Sequence, residues 1–151
     1  YFQACIFFLQ KKYNQSYGYL NETKQIEKDK EGWNIGVRVL SILNLIEMSL
    51  LDFADNQIEA MRKHVERLEK REQPLRTRDR IIFTLLRRLE RKSFDFRAVY
   101  QSSHRDFSKL ESDSPDLRWQ VKSPEMIVFH RWFLSKTDDV EYPLIIGGSN
   151  F

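Results

Sequence analysis

Cysteine, glycine and proline are scarce in this chain, and each shortage excludes something. One cysteine, Cys5, leaves no internal disulfide and suits a reducing, cytoplasmic compartment. Five glycines and four prolines are too few for the turns of an all-β protein. No stretch reaches the ~18 uninterrupted apolar residues of a membrane span. The run from Val37 to Leu51 is broken by Arg38, Asn44 and Glu47. Recognisable catalytic motifs are missing too. There is no phosphate loop, no G-x-S-x-G and no dinucleotide fingerprint, and Gly147-Gly148 is a glycine pair without context. His64, His104 and His130 lie far apart, with no metal-binding pair such as H-x-x-x-H. His104-Arg105-Asp106 is the only local cluster, and Cys5, set among Ile6, Phe7 and Phe8, reads as a small core residue. The expectation is therefore a non-enzymatic chain that uses no metal or other cofactor. A net charge of +3 is mild and does not by itself call for nucleic acid or an anionic membrane.

What is present is helical periodicity. Hydrophobic residues at 41% and charged residues at 31% fit a globular chain, and 151 residues suffice for one domain with a real core. The stretch Trp33–Leu68 organises the rest. Its first half is apolar on nearly every side (Val37, Val39, Leu40, Ile42, Leu43, Leu45, Ile46, Met48), as in a helix buried among neighbours. After a turn at Leu50–Asp55, Ile58, Met61, Val65 and Leu68 mark one face of a second helix. The whole reads as an all-α domain over residues 1–136. Hairpins span 1–27 and 31–70, helices follow at 77–92, 96–110 and 123–135, and an irregular tail occupies 137–151. Asn14 is the expected N-cap of the second helix, on which Gly18 suggests a close crossing. Ser123-Pro124-Glu125 has the cap, proline and acid of a helix start. Tyr142–Gly148 is expected to dock as an extended segment.

Tyr1 to Leu9 is apolar and helical in character from the outset, with no Met and no basic region of a signal peptide, so the chain reads as part of something longer. Tyr1-Phe2-Gln3 also matches the end of a protease-tag site. A repeat emerges when Phe8–Leu20 is laid on Met48–Ala60: Tyr13 falls on Phe53, Ser16 on Asn56 and Leu20 on Ala60. Ala4, Phe7, Phe8, Tyr13 and Ser16 together resemble the tetratricopeptide repeat (TPR). In that family small residues let paired helices approach and aromatics fill the wedge between repeats. The family's tight-turn glycine is Lys11 here, and the copies stand farther apart than the usual ~34 residues. The resemblance covers about half the chain. It implies antiparallel hairpins stacked as a TPR-like superhelix, with the last helices as a C-terminal cap, and a role as a protein-binding scaffold.

On that reading the first helices of the hairpins line a concave surface. Asn34, Arg38, Asn44 and Glu47 are the polar positions expected to meet a partner, because they interrupt an otherwise apolar helix. The partner is a protein or a second copy, joined through the N-terminal helix, whose uncovered apolar side would mark an interface. The alternative is nucleic-acid or anion binding by the arginine-rich helix at 76–92, through Arg80, Arg87, Arg88 and Arg91. The competing explanation for those arginines is pairing with acids such as Glu66, Glu69 and Glu72 on the neighbouring helix, the commoner fate of helix charge and the favoured one here.

Overall fold

The computed structural model describes residues 1–29, 32–73, 75–120 and 122–142. Eight helices and, among the described residues, no strand make up the fold: α1 Phe2–Leu9, α2 Tyr13–Asn21, α3 Trp33–Glu47, α4 Leu51–Lys70, α5 Thr77–Arg91, α6 Phe96–Ser102, α7 His104–Leu110 and α8 Phe129–Asp138. Among the described residues, no helix is long and apolar enough to cross a membrane. Each helix from α1 to α5 packs on the next, α5 packs on both α6 and α7, and α8 packs on α6.

The core sits on α3. Every residue from Val39 to Ile46 is buried, because α2 covers one side of this helix and α4 another. Each large aliphatic side chain buried there contributes ~1.5–3 kcal/mol relative to its exposed state. The α4 stripe runs through Ala54, Ile58, Met61 and Val65, and the α5 stripe through Ile81, Ile82, Leu85, Leu86 and Leu89; all are buried. A second focus is aromatic: Phe133 of α8 meets Phe96 at 4.8 Å and Phe107 at 4.9 Å between ring centroids, with Trp132 fully buried beside them.

The two hairpins share one corner geometry. Lys11 follows α1 at φ 59° and Ser49 follows α3 at φ 58°. The next N–H donates five residues back in both, Lys12 to the Phe7 carbonyl and Leu50 to the Leu45 carbonyl, each at 2.9 Å. This is a Schellman ending built without glycine. The same ending closes α4, where Gln73 donates to the Leu68 carbonyl, and α5, where Phe94 donates to the Leu89 carbonyl; aligning Lys11 with Ser49 gives an offset of 38 between the two hairpins, whereas the sequence overlay uses 40. At 38, Ala4 aligns with Ile42, Ser16 with Ala54 and Leu20 with Ile58, all buried. The overlay slid because it matched Tyr13 to Phe53, and Phe53 is 60% exposed.

Several boundaries move. The turn between α3 and α4 lies at 48–50, so α4 begins at Leu51 rather than after Asp55. α2 starts at Tyr13, so Asn14 lies inside it, and it stops at Asn21 because the chain beyond is held by Asn34 instead. Gly18 faces open space, with nothing within 4 Å of an added Cβ, and mediates no close crossing. Gly36 does: a Cβ there would stand 2.8 Å from the Pro124 backbone oxygen. The helix expected at 96–110 is two, α6 and α7, divided at Ser103, whose hydroxyl accepts from Arg88 at 3.0 Å. The last helix begins at Phe129, not Ser123, and runs on to Asp138. Glu125 still serves its N-terminus, accepting from the Phe129 N–H at 2.9 Å, but from outside the helix, because its carboxylate is drawn to Arg78. Of the tail, Tyr142 sits against the core and its hydroxyl accepts from the Val128 N–H at 3.2 Å. The extended docking expected for Tyr142–Gly148 otherwise falls on 143–151, outside the described residues, as does Glu31 at the expected start of the second hairpin.

Candidate functional site

The four polar residues expected on one binding face go four separate ways. Asn44 has no accessible surface. Its Nδ2 donates to Ser16 Oγ at 2.8 Å and to the Leu40 carbonyl at 2.9 Å, and Ser16 in turn donates to the Ala4 carbonyl at 2.8 Å. This relay ties α3, α2 and α1 together. Glu47 accepts from Trp132 Nε1 at 2.7 Å and Lys136 Nζ at 3.0 Å, fastening α3 to α8. Asn34 pairs both amide atoms with the Ile26 backbone, giving to its carbonyl at 2.8 Å and taking from its N–H at 3.0 Å. Only Arg38 makes no hydrogen bond or ion pair among the described residues.

The arginine face of α5 is largely neutralised. Arg80 pairs with Glu69 at 2.8 Å, Arg87 with Glu90 at 2.9 Å and Glu59 at 3.4 Å, and Arg88 with Asp106 at 2.5 Å. Arg91 alone of the four stands exposed without an ion pair among the described residues. Arg78, on the same helix, is buried and fully engaged. Its Nε and Nη2 fork onto the Glu125 carboxylate, and its Nη1 donates to the Leu110 carbonyl at 2.8 Å and the Leu117 carbonyl at 2.6 Å. Nη2 also meets His130 Nδ1 at 3.2 Å. A guanidinium only donates, so Nδ1 is the acceptor and the ring proton sits on Nε2. Burial, then Arg78, pushes His130 down to about 4. This network clamps the irregular 111–128 segment to the core.

Unpaired positive charge lies elsewhere. A groove of about 1050 Å³ opens between the loop at 25–29, the C-terminal half of α4 and the connection into α5. Its wall carries His64, Arg67 and Arg71, one face of α4 at spacings of three and four. Three acids border it, Glu27, Asp29 and Asp79, and the last two are committed. Asp29 Oδ1 accepts from the Gly32 and Trp33 N–H groups at 2.9 Å each, and Oδ2 from Asn34 at 2.7 Å, capping α3. Gly32 permits this with φ 83°. Asp79 is forked by Arg76 at 2.7 and 3.0 Å. Arg67 and Arg71 form no ion pair with any described residue. The half-buried Arg38 is close enough to feel Arg67: burial and then this repulsion lower its pKa. His64 is 4% exposed and has no hydrogen bond among the described residues. Burial, then Arg38 and Arg67, push it down to about 4. It is neutral at pH 7 and presents a polar ring to the groove.

Among the described residues, no three His, Cys, Asp or Glu side chains gather where they could hold a metal ion. No protein-family model matches the chain, and neither a curated protein nor a solved structure matches it. Sequence reading found Arg38, a lone charge in an apolar helix. It passed over Arg67 and Arg71, whose spacing with His64 was visible but whose lack of acidic partners was not.

Proposed function

We propose that the chain is a non-enzymatic, TPR-like helical-repeat module that binds protein through the outer face of α1, with a second copy of itself as the partner. One observation carries this. At the offset of 38, Phe2 and Ile6 of α1 correspond to Leu40 and Asn44 of α3, by the alignment of Lys11 with Ser49. Asn44 meets Ser16 of α2, and Leu40 lies one turn before it on the same face; they are 0% and 2% exposed. Phe2 and Ile6 are 58% and 47% exposed. The face that a neighbouring helix covers on α3 is open on α1. Open apolar faces of stacked hairpins are where such modules take partners. The α1 sequence FQACIFFL carries no charge, so two copies can appose it without repulsion. The equivalent free face of the second hairpin is closed by α5, which disfavours head-to-tail growth and leaves a two-fold contact.

Sedimentation across a concentration series tests it. The expected result is a reversible dimer that Ile6→Glu converts to monomer without loss of helicity. A wild-type chain that stays monomeric at its highest soluble concentration removes the reading.

A further inference from the structure

We propose that the apolar corner formed by Leu50, Leu51 and Phe53 is a docking site for an extended apolar segment, and that its occupant is residues 143–146 of the same chain. The corner is separate from the α1 face and stands on different observations.

The corner is apolar without needing to be. One backbone ending closes α1, α3, α4 and α5, with its left-handed residue at Lys11, Ser49, Glu72 and Ser93. Two residues beyond it, Leu51 has Tyr13 and Asp95 as counterparts at the ends of α1 and α5. Four residues beyond it, Phe53 has Gln15, Arg76 and Arg97. The ending itself uses one apolar contact, at the position Leu50 holds. Corner geometry therefore calls for neither Leu51 nor Phe53. Both are exposed, as is Leu50, and a single turn of chain holds all three. Large apolar side chains gathered in water, where the backbone does not demand them, mark an interface.

Position selects the occupant. Glu47, the last residue of α3, accepts from Trp132 at 2.7 Å and from Lys136 at 3.0 Å, which brings α8 to within three chain positions of Leu50. Beyond α8, Val140 is exposed and Glu141 pairs with Lys11 at the corner of the first hairpin. The stretch 132–141 thus links the two corners, and the sequence continues from there as Pro143-Leu144-Ile145-Ile146. Extended, residues 143–146 span ~13 Å.

Composition agrees with position. None of those four residues is charged. Alternate side chains of an extended segment share a side, so Leu144 and Ile146 face one way and Ile145 the other. The side with two apolar residues is the one that buries most against the corner. The corner of a second copy is a poorer match. Asp52 and Asp55 are exposed around the cluster, so two corners brought together would oppose like carboxylates. An uncharged segment meets no such repulsion.

The test places a nitroxide on Gly148→Cys of the full chain, with Cys5→Ala, and reads amide NMR. Paramagnetic broadening is expected to be strongest at residues 50–53 and weaker at Phe2 and Ile6. It should persist when the isotope-labelled, nitroxide-bearing chain is diluted into an excess of plain chain. Leu144→Asp/Ile146→Asp should abolish it, as should Phe53→Ser, whereas Ile145→Asp should retain it. Without the nitroxide, Leu144→Asp/Ile146→Asp should shift the methyl resonances of Leu50 and Leu51 and leave those of the core residues Leu85 and Leu89 in place, a readout that also reports an intact fold. The proposal is overturned if the broadening is absent, if it is strongest at Phe2 and Ile6, or if it survives Leu144→Asp/Ile146→Asp. It is overturned equally if the broadening passes to an isotope-labelled chain that carries no nitroxide, since the occupant is then the segment of a second copy.

Discussion

Asn44 Nδ2 donates to Ser16 Oγ across the α2–α3 contact at 2.8 Å, joining two residues 28 positions apart in a site that is otherwise apolar. The side-chain Oδ1 of Asn44 beside it is buried without a partner among the described residues. The bond is therefore half of an incompletely satisfied polar pair, and its net worth is small although its loss from one side is costly.

A double-mutant cycle reads this directly. Ser16→Ala, which copies the Ala54 of the second hairpin, is expected to lose ~1–2 kcal/mol by stranding the Asn44 amide. The double variant Ser16→Ala/Asn44→Leu should recover to within ~1 kcal/mol of wild type, because both polar groups leave together. Urea denaturation of the four proteins measures it. Additive losses would show that the two side chains are not coupled.

The glycines give opposite expectations on similar helices. Gly18→Ala should stabilise by ~1 kcal/mol through helix propensity, since nothing lies within 4 Å of the new methyl. Gly36→Ala should destabilise by ~1–3 kcal/mol, because the methyl meets the Pro124 backbone at 2.8 Å and that backbone is held by the Tyr1 hydroxyl. Thermal melts of the two variants decide it; equal shifts of one sign would contradict the geometry.

Arg78 and Glu125 form the buried link between α5 and the 111–128 segment. Arg78→Leu is expected to cost ~3–5 kcal/mol, the penalty of leaving the Glu125 carboxylate buried and unpaired. Proteolysis should then cut first within 111–128, where Arg78 had held the Leu117 carbonyl. A variant with wild-type stability and an uncut segment would show that the pair is dispensable.

Acid should weaken the fold through its histidines. His64 and His130 are held down to about 4 when folded, against 6.5 when unfolded. Between those values the unfolded chain binds more protons, so stability falls as pH drops from about 6.5 toward 4. Burial raises the carboxyls of Asp79 and Glu125, which works in the opposite direction. Those acids are shared by wild type and variant, so the difference isolates the histidine. His64→Gln should flatten the slope of stability against pH in this window, as measured by urea titrations at several pH values. An unchanged slope would place His64 in a protonated state already.

The α3 run from Val39 to Ile46 and the stripes of α4 and α5 were legible in the sequence, because apolar spacing is a local property and burial follows it. The all-α character came with it. Glu125 was recognised as a helix-start acid and does meet the α8 N-terminus, yet the helix begins four residues later. Nothing near Glu125 in the chain reveals Arg78, 47 positions away. The candidate site divides in the same way. Arg38 declared itself by interrupting an apolar helix, whereas Arg67 and Arg71 look like any solvated arginines on an amphipathic one.

The sequence by itself determined where helices form and which face of each is dry, though not where each helix ends, since the apolar period depends on neighbours within four positions. Only the tertiary structure decided which charges find partners. It brought Glu69 to Arg80, Asp106 to Arg88 and Glu125 to Arg78, and it turned Asp29 to capping α3. Arg38, Arg67 and Arg71 form no ion pair with any described residue. An ion pair is set by distance in space, and helix packing, not chain order, fixes that distance.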